Sequence, residues 1–168
     1  MYDVDVFTSD KQVDCGPTCL KMLLKYYGIE VDLDTLIQEC NTRLEGCTGT
    51  DLRRAGNAHG LDLRAFAVDT DTLMTMDRPA IIHWRFSHWC IFCGVDKGQI
   101  MIINPDRGKY HIPVGVFRGL FSGVALFNGD PVELPPDEEF TNEDIIETLA
   151  DHEYRVCLLE LGINEEDL

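Results

Sequence analysis

The rhythm of apolar positions changes about a third of the way along this chain. Behind Asp14, a capping residue, Cys19, Leu20, Leu23, Leu24 and Tyr27 recur with the spacing of one helix face, and Gly28 ends the run. The pattern predicts a second helix over about 33–40, and a third that starts after Thr50 and stops at Gly60. From Asp62 the period falls to two: Leu61-Asp-Leu-Arg-Ala-Phe-Ala-Val68 alternates as a strand does, and 70–76 reads as a short helical turn. Further strands are expected over 79–83, 88–95, 99–103, 109–112 and 122–127, with Asp96-Lys97-Gly98 as a hairpin turn. Helices first and antiparallel strands afterwards define an α+β layout, with an N-terminal helical lobe packed on a β-sheet lobe and a cleft between them.

One compact domain is expected over 1–128. Beyond it, 129–140 is an acidic linker punctuated by Pro131, Pro135 and Pro136. The segment 141–168 is a separate acidic helical element, with Thr141 and Asp144 as a capping box and an apolar stripe through Ile145, Ile146, Leu149, Val156 and Leu159. It has three possible roles: docking on the core, covering the cleft, or binding a partner protein.

Composition narrows the functional classes. Fourteen Lys plus Arg against thirty Asp plus Glu give a net charge of −16, which repels phosphate backbones and anionic lipid surfaces and argues against nucleic acid as a partner. Apolar runs such as Ile100–Ile103 are far too short to cross a bilayer, so no membrane span is expected. The N-terminus is acidic and lacks the apolar stretch of an export signal, which makes cytoplasmic the expected address. Seven cysteines, an odd number, stand at 15, 19, 40, 47, 90, 93 and 157, a pattern of reduced thiols rather than of a disulfide framework.

Cys15 is the candidate nucleophile, because the first turn of a helix offers unpaired backbone N–H groups and a positive dipole end that draw a thiol toward ionisation. Cys19, one turn on, falls among the apolar positions and reads as packing. A thiol nucleophile needs an imidazole base and a third group that fixes the ring, both brought in by the fold. His88 leads the five histidines because it opens the apolar strand Trp89-Cys-Ile-Phe-Cys93; His83 ends the preceding strand, and His59, His111 and His152 fall near loops or surface. The hairpin after that strand returns Asn104 to the neighbourhood of His88, although Asn104-Pro-Asp-Arg-Gly108 also reads as an ordinary turn.

The segment Asp14-Cys-Gly-Pro-Thr-Cys-Leu-Lys-Met-Leu-Leu-Lys-Tyr-Tyr-Gly28 closely resembles the nucleophile segment of the double-glycine leader peptidases, the papain-like domains at the N-termini of bacteriocin-exporting ABC transporters. Pro79-Ala-Ile-Ile-His-Trp-Arg-Phe-Ser-His-Trp-Cys-Ile-Phe-Cys-Gly94 resembles their histidine segment and Ile103-Asn-Pro-Asp-Arg-Gly108 their Asp-Pro segment, so the likeness covers about residues 8–127. The resemblance implies a papain-like fold and a cysteine peptidase with Cys15, His88 and Asn104 as catalytic residues. Its substrate is then a peptide or protein cut after small residues, as at a Gly-Gly leader site. It also implies an oxyanion site, for which Gln12 is the expected donor beside the Cys15 backbone N–H.

The chain departs from the family in three ways. Asn104 stands where Asp is usual, Ser9 occupies the position six before the nucleophile where the family carries Gln, and no transporter follows, which suggests a stand-alone member. No cofactor is expected, and no metal: Cys90 and Cys93, which Cys40 and Cys47 could join as ligands, have a zinc-like spacing but lie inside a strand, not on a turn. Two alternatives keep the fold: a non-catalytic peptide-binding adaptor, and a Cys-dependent amidase or deamidase.

Overall fold

The computed structural model describes residues 1–9 and 11–130, so the expected linker beyond Asp130 and the segment 141–168 lie outside the described residues. Helices α1 (Cys15–Tyr26), α2 (Leu33–Glu39) and α3 (Gly49–Ala58) come first. Strands β1 (Leu63–Ala67), β2 (Ala80–Trp84), β3 (His88–Asp96), β4 (Gln99–Asn104), β5 (Gly108–Pro113) and β6 (Phe121–Asn128) follow, with the short helices α4 (Thr70–Thr75) and α5 (Val114–Arg118) inserted among them. The strands form one sheet in the order β1-β6-β2-β3-β4-β5, and all its pairings are antiparallel. This is the α+β architecture expected from the sequence.

Both faces of the sheet are covered. On one side Leu20, Leu23 and Leu24 of α1, Leu36 of α2 and Leu52 of α3 share a core with Leu63, Ile81, Ile91, Ile103 and Leu126. On the other, Leu73 of α4 and Phe117 of α5 join Phe66, Ile82, Phe92, Ile102 and Phe127. Double coverage explains why all five residues of β2 are buried and why the strand sequence runs apolar without alternation. The second layer depends on α5, which the sequence reading passed over, because five residues are too few to show a helical period.

Local chemistry sets the helix ends. Gly28 takes the left-handed φ of +79° after α1, as its position suggested. The cap of α3 is Thr48 rather than Thr50: the Thr48 hydroxyl accepts the Asp51 N–H at 3.1 Å while the Asp51 carboxylate accepts the Thr48 N–H at 3.3 Å. Only Thr48 has a carboxylate three residues on, and this reciprocal pair starts the helix two residues early. Asp14 does stand at the N-cap of α1, but its side chain caps nothing. The preceding 3-10 turn, Gln12–Asp14, holds it at φ −90°, ψ 7°, away from the extended backbone that side-chain capping requires.

The β3–β4 hairpin closes through Lys97 and Gly98, both at positive φ, with Asp96 opposite Gln99. Between Phe92–Ile102 and Val95–Ile100 the register slips, so that Cys93 and Gly94 together face Met101. Gly94 has φ +99°, and a Cβ there would lie 3.0 Å from the Met1 Cα. The slip decides which residue of β4 returns to the start of β3, since one step along a strand exchanges its two faces. Gly94→Ala is therefore expected to destabilise the domain by about 1–2 kcal/mol, through the left-handed backbone and the crowding against Met1, in urea unfolding.

Candidate active site

The buried thiol of Cys15 lies at the first residue of α1. Backbone N–H groups of Trp89 and Gly16 point at its sulfur, so the nucleophile rests against the residue that follows His88. Burial is the strongest influence and pushes the thiol above its ordinary value; the Trp89 and Gly16 N–H groups pull it back, and the Asp106 carboxylate pushes it up. The expectation that the helix start alone brings Cys15 toward neutrality is thus corrected. The donors are present, but desolvation outweighs them, and a thiolate here needs a cation beside it.

His88 and Asn104 supply an arrangement suited to that cation. The His88 Nε2 lies 3.0 Å from the Asn104 Oδ1, and both side chains are buried. The same oxygen accepts the Asp106 backbone N–H at 2.8 Å. Because Oδ1 is an acceptor for both, Nε2 must carry a hydrogen, and in the neutral ring the lone pair sits on Nδ1. Burial raises the neighbouring Tyr110 phenol, and the Asn104 side chain draws it back down. The tight turn after β4 thus holds the Asn104 amide against the His88 ring and is not merely a chain reversal.

Gln12 opens the 3-10 turn that leads into Cys15, so its backbone is local to the site; its side chain lies outside the described residues. Ser9 bonds the same neighbourhood, its N–H donating to the Pro105 carbonyl at 3.0 Å. His83, ranked behind His88 from sequence, is buried and lines the cleft. Its Nδ1 lies 2.9 Å from the Ser122 Oγ, whose own hydrogen goes to the His83 carbonyl at 3.2 Å. Its ring meets Trp89 edge-on at 4.7 Å. His83 is thus held across β2 and β6 rather than by Asn104, and β2, which runs without alternation, gave no hint that it would line the cleft.

The cleft holds about 550 Å³ and runs between Val13 and Cys15, the loop from Asn41 to Thr48, and Phe86, Ser87 and Trp89 on the strand side. The Trp89 Nε1 donates to the Cys47 carbonyl at 3.1 Å, tying the loop to β3. Arg43 and Gly46 exchange backbone hydrogen bonds at 2.9 and 3.0 Å, which turns Leu44 out into solvent. The turn into His88 carries two left-handed residues, Arg85 at φ +50° and Phe86 at φ +62°, a costly backbone of the kind found where a side chain must be aimed.

The remaining cysteines read as packing. Cys90 belongs to one core and Cys93 to the other, so the pair straddles the sheet and cannot grip one ion. Burial raises both, Cys93 to about 12. Cys47 is pushed up mainly by its hydrogen bond with Cys40. All six described cysteines are free, and among the described residues no cluster suits a metal.

A thiol at the start of a helix packed on an antiparallel sheet, with an imidazole and an amide paired on that sheet, fits the layout expected of a papain-like cysteine peptidase. The peptidase C39 family profile matches residues 3–132, and the chain belongs to that family. It is 29% identical to the colicin V secretion/processing ATP-binding protein CvaB of Escherichia coli, over 84% of this chain and 20% of that protein. With the lactococcin-G-processing and transport ATP-binding protein LagD of Lactococcus lactis the identity is 27%, over 80% and 20%. The chain thus spans about a fifth of the length of these curated relatives. Among solved structures, a double glycine motif protease from an AMS/PCAT transporter, crystallised with its leader peptide, superimposes with a TM-score of 0.73 and 27% identity, over 74% of this chain and 90% of that one. The peptidase domain of Streptococcus ComA shares the fold at a TM-score of 0.70 and 24% identity, covering 74% and 97%. The domain is a cysteine peptidase by family, and among the described residues no helix is long and apolar enough to cross a membrane.

Gly16 shows how tightly the site is built, since a Cβ there would lie 2.3 Å from the Cys47 Sγ and 3.2 Å from the Trp89 Cδ1. Gly16→Ala is expected to cost about 1–3 kcal/mol of stability and to slow Cys15 alkylation. Adding Cys47→Ala removes the nearest clash and restores part of both, as thermal unfolding and iodoacetamide labelling would record.

Proposed function

We propose that this chain cleaves a leader peptide from a precursor after a pair of small residues, by acyl transfer through Cys15, His88 and Asn104. The observation that carries the reading is the 3.0 Å contact of the His88 Nε2 with the Asn104 Oδ1, on the strand whose next residue, Trp89, turns its backbone N–H to the Cys15 thiol. The 27% identical double glycine motif protease, solved with a leader peptide, supports the substrate class.

The His88 Nδ1 takes the proton of the Cys15 thiol, and the resulting thiolate attacks the scissile carbonyl. Charge that develops on the carbonyl oxygen meets the Cys15 backbone N–H at the start of α1, with Gln12 as the second donor. His88 returns its proton to the leaving amine, an acyl-enzyme remains on Cys15, and water activated by the same imidazole releases the leader. Asn104 keeps the ring in the Nε2–H tautomer throughout. No step calls for a metal or cofactor, and free thiols suit a reducing, cytoplasmic setting for the reaction.

A synthetic precursor with a Gly-Gly junction should be cut into two fragments that together gain one water, by mass spectrometry. Cys15→Ala or His88→Ala should lower kcat/KM by a factor of about 10⁴ or more. A Leu-Leu junction should stay intact, whereas a product that keeps its full length and changes only in mass would indicate deamidase chemistry instead.

The thiol supplies a pH test. Burial raises Cys15, so a lone thiol there ionises only at higher pH than usual. Wild-type Cys15 should react with iodoacetamide at pH 6 as the partner of His88. In His88→Ala the reaction should appear only above the ordinary thiol range of about 8–9.

A further inference from the structure

We propose that Asp106 is a positioning residue for His88, supplying from the turn after β4 the negative charge that the neutral Asn104 lacks. The inference rests on the peptidase reading above. An amide oxygen can orient an imidazole, but it gives a forming imidazolium no counter-charge, whereas a carboxylate gives both.

The Asp106 Oδ2 lies 3.8 Å from the His88 Nε2, too far for a hydrogen bond and close enough for a charge. Among the described residues, His88 is the cationic partner within ion-pair range of Asp106. The arrangement is built in. The Asp106 N–H holds the Asn104 Oδ1 at 2.8 Å, so one residue fixes the amide with its backbone and faces the ring with its side chain. The Arg107 N–H closes the turn on the Asn104 carbonyl at 3.0 Å, and Ser9 braces Pro105 from the N-terminal segment.

The other groups around the imidazole are few. Cys15 lies at the start of α1, against the N–H of Trp89 that follows His88, and Tyr110 stands near Asn104 on β5, with Arg107 and Arg85 acting on that phenol. Asp106 also pushes the Cys15 thiol up. Its charge therefore has opposite effects on the two partners: it opposes a lone thiolate and favours the imidazolium. Because Asp106 stands at the Nε2 end of the ring, next to the cation, the second effect prevails while His88 is present. Without His88 only the first remains, and removal of the charge should then change sign in its effect.

The test is the rate of Cys15 alkylation by iodoacetamide at fixed pH, in the intact chain, across three backgrounds. Asp106→Asn should slow labelling about 3–10-fold in the wild type. It should have no further effect in Asn104→Asp, where a carboxylate already faces Nε2, and should speed labelling in His88→Ala. An unchanged rate in the wild-type background overturns the proposal. So does an equal slowing in all three backgrounds, which would mark a turn residue whose backbone alone matters. Wild-type labelling that does not depend on His88 would instead sink the peptidase reading itself.

Discussion

The apolar face of α1 and the inner strands of the sheet form one core, in which Cys19, Leu20, Leu23 and Leu24 share their burial with Ile91 and Cys93 of β3. Each large side chain in such a seam contributes about 1.5–3 kcal/mol. That sum far exceeds the roughly 1 kcal/mol forgone where the Asp14 side chain caps nothing, so packing rather than capping fixes the start of the helix. With the helix seated, its first residue meets the Trp89 N–H, and the thiol stands beside the strand that presents His88. The placement of the Cys15 thiol in this domain is a by-product of hydrophobic registration between one helix and one strand.

The seam that places the thiol also buries it, and burial works against ionisation. A cysteine of this kind is inert alone. The neighbouring hairpin carries polar groups that are themselves sheltered: the imidazole, the Asn104 amide and the backbone N–H of Asp106 form a short chain in which each donor has a named acceptor. Such a chain is worth more in a dry site than in water, because no solvent competes for its members.

Much of this was legible in the residues, for reasons that differ from element to element. The period of α1 and the Lys97-Gly98 turn are local properties, so sequence shows them directly. The expected grouping of Cys15 with His88 and Asn104 is not local; it rests on three separated motifs that resemble one family, and of it the structure shows the contact of His88 with Asn104. Spacing could not tell Thr48 from Thr50 as a cap without attention to Asp51, nor could it place His83, whose partner Ser122 lies on a strand far along the chain. The direction in which the Cys15 thiol shifts was hidden as well, because helix starts are visible in sequence and depth of burial is not.

The strand order has a consequence for how the domain comes to life during synthesis. β6, the last strand described, is inserted between β1 and β2, so the helical layer with β1 and the hairpin with His88 have no edge in common until residues 121–128 are available. The hairpin from β3 to β5 involves near neighbours in sequence and can form early; β1 against β6 joins Leu63 to Asn128 and closes late. Until then the sheet is split in two, with β1 on one side and β2 to β5 on the other. The last strand described slides between them as a keystone does, and the two parts of the sheet become one only with it.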